Sequence, residues 1–467
     1  MILFFETETK NIIATGTNGI LPKEEIAKLI WLFGNATLIS KESFEGTFVG
    51  PRKEMVTPWS TNAVEITQNM GIAGIKRIEE FHVTTPEKPN FDPMLQSLYK
   101  GLDQNLFTID KLPDPVFYID DIKQYNLTEG LALNADEVAY LDKLSNSLGR
   151  KLTDSEVFGF SQVNSEHCRH KIFNGTFFIS GIEKIQTLFQ MIKSTTKINP
   201  NGVISAYKDN CAFVQGPVVE QFAPGTQDGP DYFNVTDYES VLSIKAETHN
   251  FPTTVEPFNG ASTGTGGEIR DRIAGGKGAF PIAGTAVYMT SYPRPDGDRS
   301  WEKATKKRPW LYQTPEDILI KASNGASDFG NKFGQPLICG SVFTFEHFEN
   351  LKMFGYDKVI MLAGGIGIGK KKDSEKDIPE KGDIIVLLGG DNYRIGMGGG
   401  AVSSVDTGKF DSSIELNAVQ RANPEMQKRV YNAIRALSES ANNPIISIHD
   451  HGAGGHLNCL SELVEGT

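Results

Sequence analysis

Apolar residues along the first 120 positions recur at spacings that alternate between strand and helix. MILFF at the start of the chain predicts a short buried strand, and PKEEIAKLIWLF (22–33) places proline first, acids early and apolar residues at helical spacing. STNAVEITQNMG (60–71) repeats the helical pattern, and IKRIEEFHV after it predicts a strand. Residues 1–120 are therefore expected to form a small α+β domain.

The pattern turns helical over residues 121–172. NADEVAYLDKLSNSLG has apolar residues on one side and ends at a glycine, and TDSE (153–156) is a capping-box sequence that opens the next helix. We expect this segment to be a helical linker between domains.

Short β-rich runs separated by glycine-rich loops occupy residues 173–383 and predict a third unit. Its last part, KKKDSEKDIPEKGD (370–383), is charged and is expected to be solvated. IIVLLGG then begins a further α/β unit, 384–467, with its clearest helix at 424–440. Because the pattern stops at Thr467 in a helical segment, we expect this unit to be incomplete. The whole is a multidomain α+β and α/β protein.

Composition narrows the possible partners. The chain has 467 residues and a net charge of −12, which argues against a nucleic-acid binder held by a broad basic surface. Phosphate ligands remain compatible with this charge, because local amides, metals and a few basic groups usually hold them. We expect small-molecule substrates and no nucleic acid.

Cysteine usage and hydropathy favour a cytoplasmic location. The four cysteines show no paired spacing, so they predict no disulfide framework. The N-terminus has no basic region of the kind that opens a signal peptide, and no apolar run approaches ~18 residues. We therefore expect no membrane association.

The candidate chemistry concentrates in ETHNFPTTVEPFNGASTGTGGEIRD (247–271). Six of the eight histidines fall in NSEHCRHK, ETHN and HDHGAGGH, beside carboxylates and glycines. A single histidine is more often a surface or core group, and zinc is the rival explanation for a cluster. However, the cysteines lack CxxC pairs and no HExxH helix occurs. Oxygen ligation of Mg²⁺ by Glu247, Asp271 and Asp450 fits the carboxylates better.

Two glycine-rich stretches raise the question of a nucleotide. Gly260, Gly264, Gly266 and Gly267 predict a loop that lets the backbone approach phosphate, followed by Arg270; a mobile surface loop is the alternative. The stretch lacks the glycine spacing and the strand–turn–helix setting of a dinucleotide fingerprint. GGIGIGKK nearly spells a P-loop, but a second lysine stands in place of the Ser/Thr and no helix follows, so we reject it.

Six segments resemble one family. FSQVNSEHCRHKIFNG, the 247–271 stretch, FGQPLICGSVFTFE, VIMLAGGIGIG, VQRANPEMQKRV and HDHGAGGHLNCLSELVEG are similar, in order, to the large single-chain phosphoribosylformylglycinamidine synthases, also called formylglycinamide ribonucleotide amidotransferases. The stretch from 50 to 81 resembles the N-terminal domain of that family. The resemblance covers essentially the whole chain.

The resemblance implies an architecture. It suggests an N-terminal domain like the small companion subunit of split synthases, a helical linker, and an aminoimidazole ribonucleotide synthetase-like pair of domains, of which the C-terminal one is truncated here. Family members also carry a second synthetase half and a glutaminase domain, which are absent from these 467 residues. The chain is therefore expected to be the N-terminal portion of a longer enzyme.

The implied reaction is ATP-dependent amidation of formylglycinamide ribonucleotide with ammonia from glutamine, in purine synthesis. By similarity, His249 and His167 are catalytic, and Mg²⁺ is held by the three carboxylates named above. Substrate contacts fall on Thr248, Asn250, Arg270 and Gln420. Contacts with ATP fall on Lys245, His170, Gly260, Gly264, Thr265, Gly266, Gly267, Glu268, Gly340 and Ser341.

Two alternatives remain open from the sequence. The chain could be another ATP-using member of the same superfamily, of the thiamine monophosphate or selenophosphate kinase type, although the N-terminal domain and SEHCRHK speak against this. In isolation it could also be a non-catalytic scaffold with little synthetase activity, which self-associates through strands meant for the missing half.

Overall fold

The structure is a computed structural model. It describes residues 1–53, 56–85, 91, 96–109, 115–131, 133–164, 170–227, 229–302, 312–389, 422–452 and 454–465, without the side chains of Pro58 and His170. The chain forms two compact units. The N-terminal unit is built on Met1–Asp114, and the C-terminal unit on Pro115–Gly390 and Ile395–Thr467. The mixed α/β, multidomain class expected from the sequence is confirmed.

The N-terminal unit is an antiparallel sheet with two helices. Its elements are β1 (Ile2–Glu6), β2 (Ile12–Thr17), α1 (Lys23–Leu32), β3 (Thr37–Ile39), β4 (Phe44–Pro51), α2 (Pro58–Asn69), β5 (Ile75–Val83) and β6 (Gln96–Leu102). The strand order is β3-β1-β2-β5-β4-β6. Both helices and the strands predicted from MILFF and IKRIEEFHV are confirmed.

Both faces of this sheet are buried, because neighbouring residues of a strand point to opposite sides. Phe5 packs with Leu29 of α1 and Ala63 of α2 on one face. Phe4 packs on the other face with Leu102 and other apolar residues. Each buried Phe or Leu side chain contributes roughly 1.5–3 kcal/mol of transfer free energy, so both helices are fixed mainly by their apolar faces.

The C-terminal unit begins with the predicted helical segment. It comprises α3 (Ile122–Glu129), α4 (Ala135–Leu148), α5 (Asp154–Val163) and the short α6 (His170–Asn174). The capping box at Thr153 and Glu156 is confirmed, and a second one, Asn134 with Glu137, starts α4. Gly149 ends α4 with φ of 63°, a left-handed conformation that favours glycine.

A second six-stranded sheet follows. This part of the chain consists of β7 (Phe178–Ile179), β8 (Ile182–Glu183), α7 (Leu188–Ile198), β9 (Val203–Ser205), β10 (Ala212–Pro224), β11 (Phe233–Thr248), α8 (Asn250–Val255), α9 (Pro257–Ile273), β12 (Phe280–Thr290), α10 (Pro315–Phe333), β13 (Leu337–Thr344), β14 (Glu346–Glu349), β15 (Lys352–Gly355) and β16 (Ile360–Lys370). Strands β7 and β8 form a separate two-stranded sheet, as do β14 and β15, and the other six strands form the larger sheet. The sheet order is β13-β12-β16-β11-β10-β9, and only the β12–β13 pair among these described strands is parallel. Helices α11 (Pro424–Glu439) and α12 (Gly455–Leu463) come later in the chain.

One face of this sheet is covered by helices and the other is open. Ala286 of β12 and Ala363 of β16 are buried with Ala261 of α9 and Ala322 of α10. On the opposite face, Ile244 pairs with Ile366, and the two are 47% and 38% exposed. This open apolar face extends to the edge strand β13. We call it the open sheet face, comprising Ile244, Ile366 and Phe343, the last of which is 55% exposed.

The expectation that 370–383 is solvated is wrong for its first part. Lys370, Asp373 and Ser374 are buried. The Lys370 ammonium donates to the carbonyl oxygens of Ser438, Glu439 and Ser440 at 2.8, 3.1 and 3.3 Å. Carbonyl groups at a helix C-terminus lack hydrogen-bond donors within the helix, and the Lys370 ammonium is the donor for those of α11. Sequence pattern could not reveal this, because the helix lies 54 or more residues further along the chain.

Two further expectations concern glycine-rich and apolar runs. The rejection of the P-loop is supported, since Gly364–Lys370 lies within strand β16. IIVLLGG is where a further α/β unit is expected to begin; residues 384–388 form no strand, and their side chains are 44–87% exposed. No described strand pairs with it. Within the described part of the chain, no helix is both long and apolar enough to cross a membrane.

A buried polar network locks α9 against the sheet. Arg272 is fully buried; its guanidinium pairs with Glu268 at 2.5 Å and donates to the carbonyl oxygen of Ile366 at 2.7 Å. It also donates to Gln335, whose amide donates to Glu268 at 2.7 Å. Every charge in the network therefore has a partner, which is the condition for burying charges without a large cost.

We predict that Arg272→Met destabilises the C-terminal unit by about 3–5 kcal/mol, because it leaves the Glu268 carboxylate buried without its cation. The measurement is urea denaturation followed by circular dichroism. Arg272→Met combined with Glu268→Met should recover most of the loss. The exposed pair Lys332–Asp328, at 2.8 Å on α10, gives the control: Lys332→Met should change stability by under about 1 kcal/mol. Equal losses in the two single variants would contradict the prediction.

Candidate active site

The site forms where β11 ends and the chain turns into two helices. His249 is the residue before α8, and its backbone amide donates to the Met361 carbonyl oxygen at 3.0 Å. The Asn250 side-chain oxygen accepts from the Met361 amide at 3.1 Å. These bonds continue the pairing between β11 and β16 and hold the turn in place. The glycines at 260–267 lie further on, inside α9 and not in this turn, so they do not form the turn of a dinucleotide fingerprint, as expected from the sequence.

The glycines of this stretch are packing residues of a helix. A Cβ atom at Gly260 would lie 2.4 Å from the Thr253 amide nitrogen, and one at Gly264 would lie 2.9 Å from the His249 Cβ. A Cβ atom at Gly267 would lie 3.1 Å from the Glu247 carboxylate. Positions four and seven residues apart share one helix face. This glycine face lets α9 lie directly against the end of β11.

The loop predicted over 260–268 is wrong, because these residues form part of α9; the contacts with ATP predicted there stay predictions. All nine of these residues are buried in α9, including the predicted ATP contacts Gly260, Gly264, Thr265, Gly266, Gly267 and Glu268. Amides inside an α-helix are directed to carbonyls four residues earlier and are not free to cradle a phosphate. The Glu268 carboxylate is taken up by Arg272 and Gln335. The sequence predicted a loop because glycines weaken an isolated helix. They are tolerated in α9 because tertiary packing there requires the helix to approach β11 closely.

Three carboxylates converge beside this face. Asp271 follows Gly267 by one helical turn, and its Oδ2 lies 2.7 Å from the Lys245 ammonium. The Asp271 carboxyl group is also close enough to those of Glu247 and Asp450 to raise the pKa of both. The Arg270 Nε lies 3.6 Å from Asp450 Oδ2. The structure therefore brings together all three predicted metal ligands with Lys245 and Arg270.

The carboxylates perturb one another. Burial, and then the charge of Asp271, raise the pKa of Glu247 above its usual value. The same two causes, in the same order, raise the pKa of Asp450. Burial alone would lower the pKa of Lys245, but the carboxylates of Asp271 and Glu247 raise it overall. Negative charge on all three carboxyl groups is thus unfavourable without a further cation, which suits the binding of a cation.

The donor set fits an oxygen-ligated divalent cation. Carboxylate oxygens are the ligands that Mg²⁺ prefers, with water and phosphate oxygens completing its shell. Across the described ranges, no three His, Cys, Asp or Glu side chains form a ready-made metal cluster. In the structure the Asp271 oxygens contact the Lys245 ammonium and the Asn210 amide, which occupy the positions that a cation would take. Glu247, Asp271 and Asp450 are the residues that would hold the ion.

Three residues of the site were not predicted. The Asn210 amide donates to Asp450 and Asp271, and Lys376 donates to Asn210 at 2.8 Å. Gln427 of α11 donates to the Gly266 carbonyl oxygen at 3.0 Å and accepts from Arg270 at 3.3 Å. Asn210 lies in a run with no motif, and Lys376 lies in the run expected to be solvated. Gln427 lies in VQRANPEMQKRV, where the resemblance pointed to Gln420 instead.

The histidines of HDHGAGGH lie around Asp450. His451 Nε2 and His456 Nδ1 are 2.9 Å apart, and His449 Nδ1 lies 3.4 Å from Glu462. Burial, then His456 and Arg270, lower the pKa of His451, which favours the neutral imidazole. A neutral His451 adds no positive charge that would offset Asp450.

Several predicted residues lie apart from the cluster or outside the description. Thr248 pairs with Leu362, Leu362 with Val287, and Val287 with Ser341, so Thr248 and Ser341 share a row on the open side of the sheet. At about 4.8 Å a strand they are roughly 14 Å apart. Gly340 lies beside Ser341 on exposed β13. His167, Gln420 and the His170 side chain lie outside the described residues.

Comparison with known proteins gives the family. Residues 15–104 match the model for the formylglycinamide ribonucleotide amidotransferase N-terminal domain, and residues 122–171 match the model for the linker domain of the same proteins. The N-terminal and linker domains of this chain are those of the formylglycinamide ribonucleotide amidotransferase family. Residues 380–467 match the C-terminal domain of AIR synthase related proteins. The resemblance stated from the sequence motifs is thereby confirmed.

Solved structures of PurL from Thermotoga maritima are also similar. The PurL complex with FGAR is 24% identical, with 70% of this chain and 41% of that chain covered and a TM-score of 0.43. The complex with ATP is 23% identical, with 70% and 40% covered and a TM-score of 0.39. The chain therefore spans about two fifths of the length of these proteins.

We predict that Glu247→Gln stabilises the metal-free chain increasingly as pH rises. A carboxyl group with a raised pKa in the folded state contributes full stability below its ordinary pKa and loses it as pH rises through the folded value. Glutamine stays neutral and avoids this loss. Thermal unfolding in EDTA should show a melting temperature gain of a few degrees at about pH 9 and little gain at about pH 5.

Exposed Glu24 on α1 gives the matched control for this measurement. Glu24→Gln should shift the melting temperature equally at the two pH values. A Glu247→Gln gain that is the same at both pH values would show that the neighbouring carboxylates do not act on Glu247.

Proposed function

We propose that this chain supplies one synthetase half of an enzyme that amidates formylglycinamide ribonucleotide. ATP phosphorylates the amide oxygen of the substrate, and ammonia derived from glutamine displaces phosphate, giving the amidine, ADP and phosphate. The observation that carries the proposal is the convergence of Glu247, Asp271 and Asp450 with Lys245 and Arg270, in a chain whose N-terminal and linker segments match this family.

The residues at the end of β11 would each have a separate role in the reaction. An amide oxygen leaves poorly until phosphorylated, and incoming ammonia must lose protons as it attacks. His249 would take up a proton, since an imidazole titrates near neutral pH. The half-buried guanidinium of Arg270 would hold phosphate by paired hydrogen bonds, and Lys245 would neutralise phosphate charge. Mg²⁺ bound at the three carboxylates would offset the charge of the transferring phosphoryl group.

Asn250 would have a mainly structural part in this scheme. Its side-chain oxygen is engaged by Met361, which leaves only the amide hydrogens for a substrate. Thr248 faces the open side of the sheet and could meet a ligand only there. The remaining substrate and nucleotide contacts would come from residues outside the described ranges or from other parts of the enzyme.

We predict that His249→Ala and Asp271→Asn each lower kcat/KM for ammonia-dependent amidation by the complete enzyme at least ~100-fold. His347→Ala, at an exposed position of β14, and Asp328→Asn, at a half-buried position of α10, are matched controls and should leave the rate unchanged. Amidation at the wild-type rate in both site variants would show that the site is assigned wrongly. Phosphorylation of thiamine monophosphate or selenide without any amidine would favour a kinase-type member of the superfamily.

We further propose that the open sheet face is covered by a second synthetase-like half in the complete enzyme, and that the isolated chain uses this face to self-associate. An edge strand and an exposed apolar face both favour pairing with another sheet. A glutaminase domain would supply the ammonia. The isolated chain would then have little synthetase activity.

Ile244→Lys combined with Phe343→Asp should convert a self-associated chain to monomers, because it places charges in the apolar contact. Light scattering at about 50 µM gives the mass. Ile20→Lys, at a position 90% exposed in the N-terminal unit, is the control and should leave the mass unchanged. A wild-type monomer with full turnover would contradict both parts of the proposal.

A further inference from the structure

Asn210 connects two of the three carboxylates. It lies in the loop between β9 and β10, and its Nδ2 donates to Asp450 Oδ1 at 2.9 Å and to Asp271 Oδ1 at 3.3 Å. A side-chain amide has two hydrogens on this nitrogen, so one can serve each carboxylate. Asp271 lies on α9, whereas Asp450 lies in the segment before α12. The amide therefore spans two parts of the fold that would otherwise repel each other here.

The orientation of the Asn210 amide is fixed by contacts on the side away from the two aspartates. The Lys376 ammonium donates to Asn210 Oδ1 at 2.8 Å, and because an ammonium can only donate, the amide oxygen must face it. Lys376 in turn pairs with Asp209 Oδ1 at 2.5 Å. The other Asp209 oxygen accepts from the backbone amide of Gly276, just after α9, at 2.7 Å. The chain of contacts is thus anchored on the same helix that carries Asp271.

The contacts also leave the outer oxygens in a defined arrangement. Asn210 takes Oδ1 of both aspartates, while Asp271 Oδ2 meets Lys245 at 2.7 Å and Asp450 Oδ2 lies 3.6 Å from Arg270. A lysine at position 210 would compete with a bound cation, and an aspartate would add a fourth negative charge. The Asn210 amide is a neutral donor, so it holds both carboxylates without changing the charge of the site.

We propose that Asn210, oriented by Lys376 and Asp209, is a positioning residue that sets the Asp271 and Asp450 carboxylates for one divalent cation. The inference rests on the magnesium site of the proposed function. Groups that orient metal ligands without touching the metal typically contribute 10–100-fold to its affinity. Asn210 and Lys376 act in series, so removing one should remove most of what the other contributes.

The test is Mn²⁺ binding to the 467-residue chain, measured by the loss of the free-ion electron paramagnetic resonance signal. Asn210→Leu and Lys376→Met should each weaken binding about 10–100-fold. Their combination should weaken it by less than about twofold beyond Asn210→Leu alone, as expected for coupled residues. Lys376→Arg, which keeps a donor, should retain most of the affinity. Circular dichroism checks that each variant is folded.

Matched controls are Asn146→Leu on α4 and Lys332→Met on α10, both exposed, which should bind Mn²⁺ like the wild type. Asp271→Asn should abolish binding. If it does so while Asn210→Leu and Lys376→Met bind normally, the positioning role is wrong and the metal site stands. If the wild-type chain binds no Mn²⁺, the metal site and the positioning role both fail. Additive losses in the double variant would also overturn the series arrangement.

Discussion

The close approach of α9 to the end of β11 is the constraint on which the site depends. Gly260, Gly264 and Gly267 present a face without side chains, and residues 253, 249 and 247 lie against it in turn. One turn further along the same face, Asp271 reaches Lys245. A side chain at any of these glycines would move the helix outward and carry Asp271 away from the strand. The glycines therefore determine the geometry of the site without contacting a ligand.

The same helix is held from its opposite side, which lets it tolerate so many glycines. Arg272 and Glu268 face the sheet and Gln335, in a network whose charges are all paired. The segment that carries Asp450 is held separately, since Lys370 of β16 caps the end of α11. The carboxylates thus meet because two independent buried contacts fix the elements that carry them. Neither contact involves a residue of the site.

How far the sequence could predict this depends on the range of the interactions. Local patterns gave both helices of the N-terminal unit, the Thr153 capping box and the three metal-ligand candidates. They failed for the glycine run, because glycine favours a loop locally and only tertiary packing makes it a helix. They failed likewise for Lys370 and Lys376, whose partners lie far away in the chain. Long-range hydrogen bonds leave no periodic trace in a sequence.

Charge balance constrains the order in which the proposed ligands could bind. Three carboxyl groups face two cations, Lys245 and Arg270, and the raised pKa of Glu247 indicates that negative charge on all three is unfavourable without a further cation. A nucleoside triphosphate and a phosphorylated substrate would each add more. Phosphate groups are therefore favoured only with a divalent cation at the carboxylates, and Lys245 is then released from Asp271 to face phosphate. Under the proposed function, the ion pair between Lys245 and Asp271 is the contact that metal binding must replace.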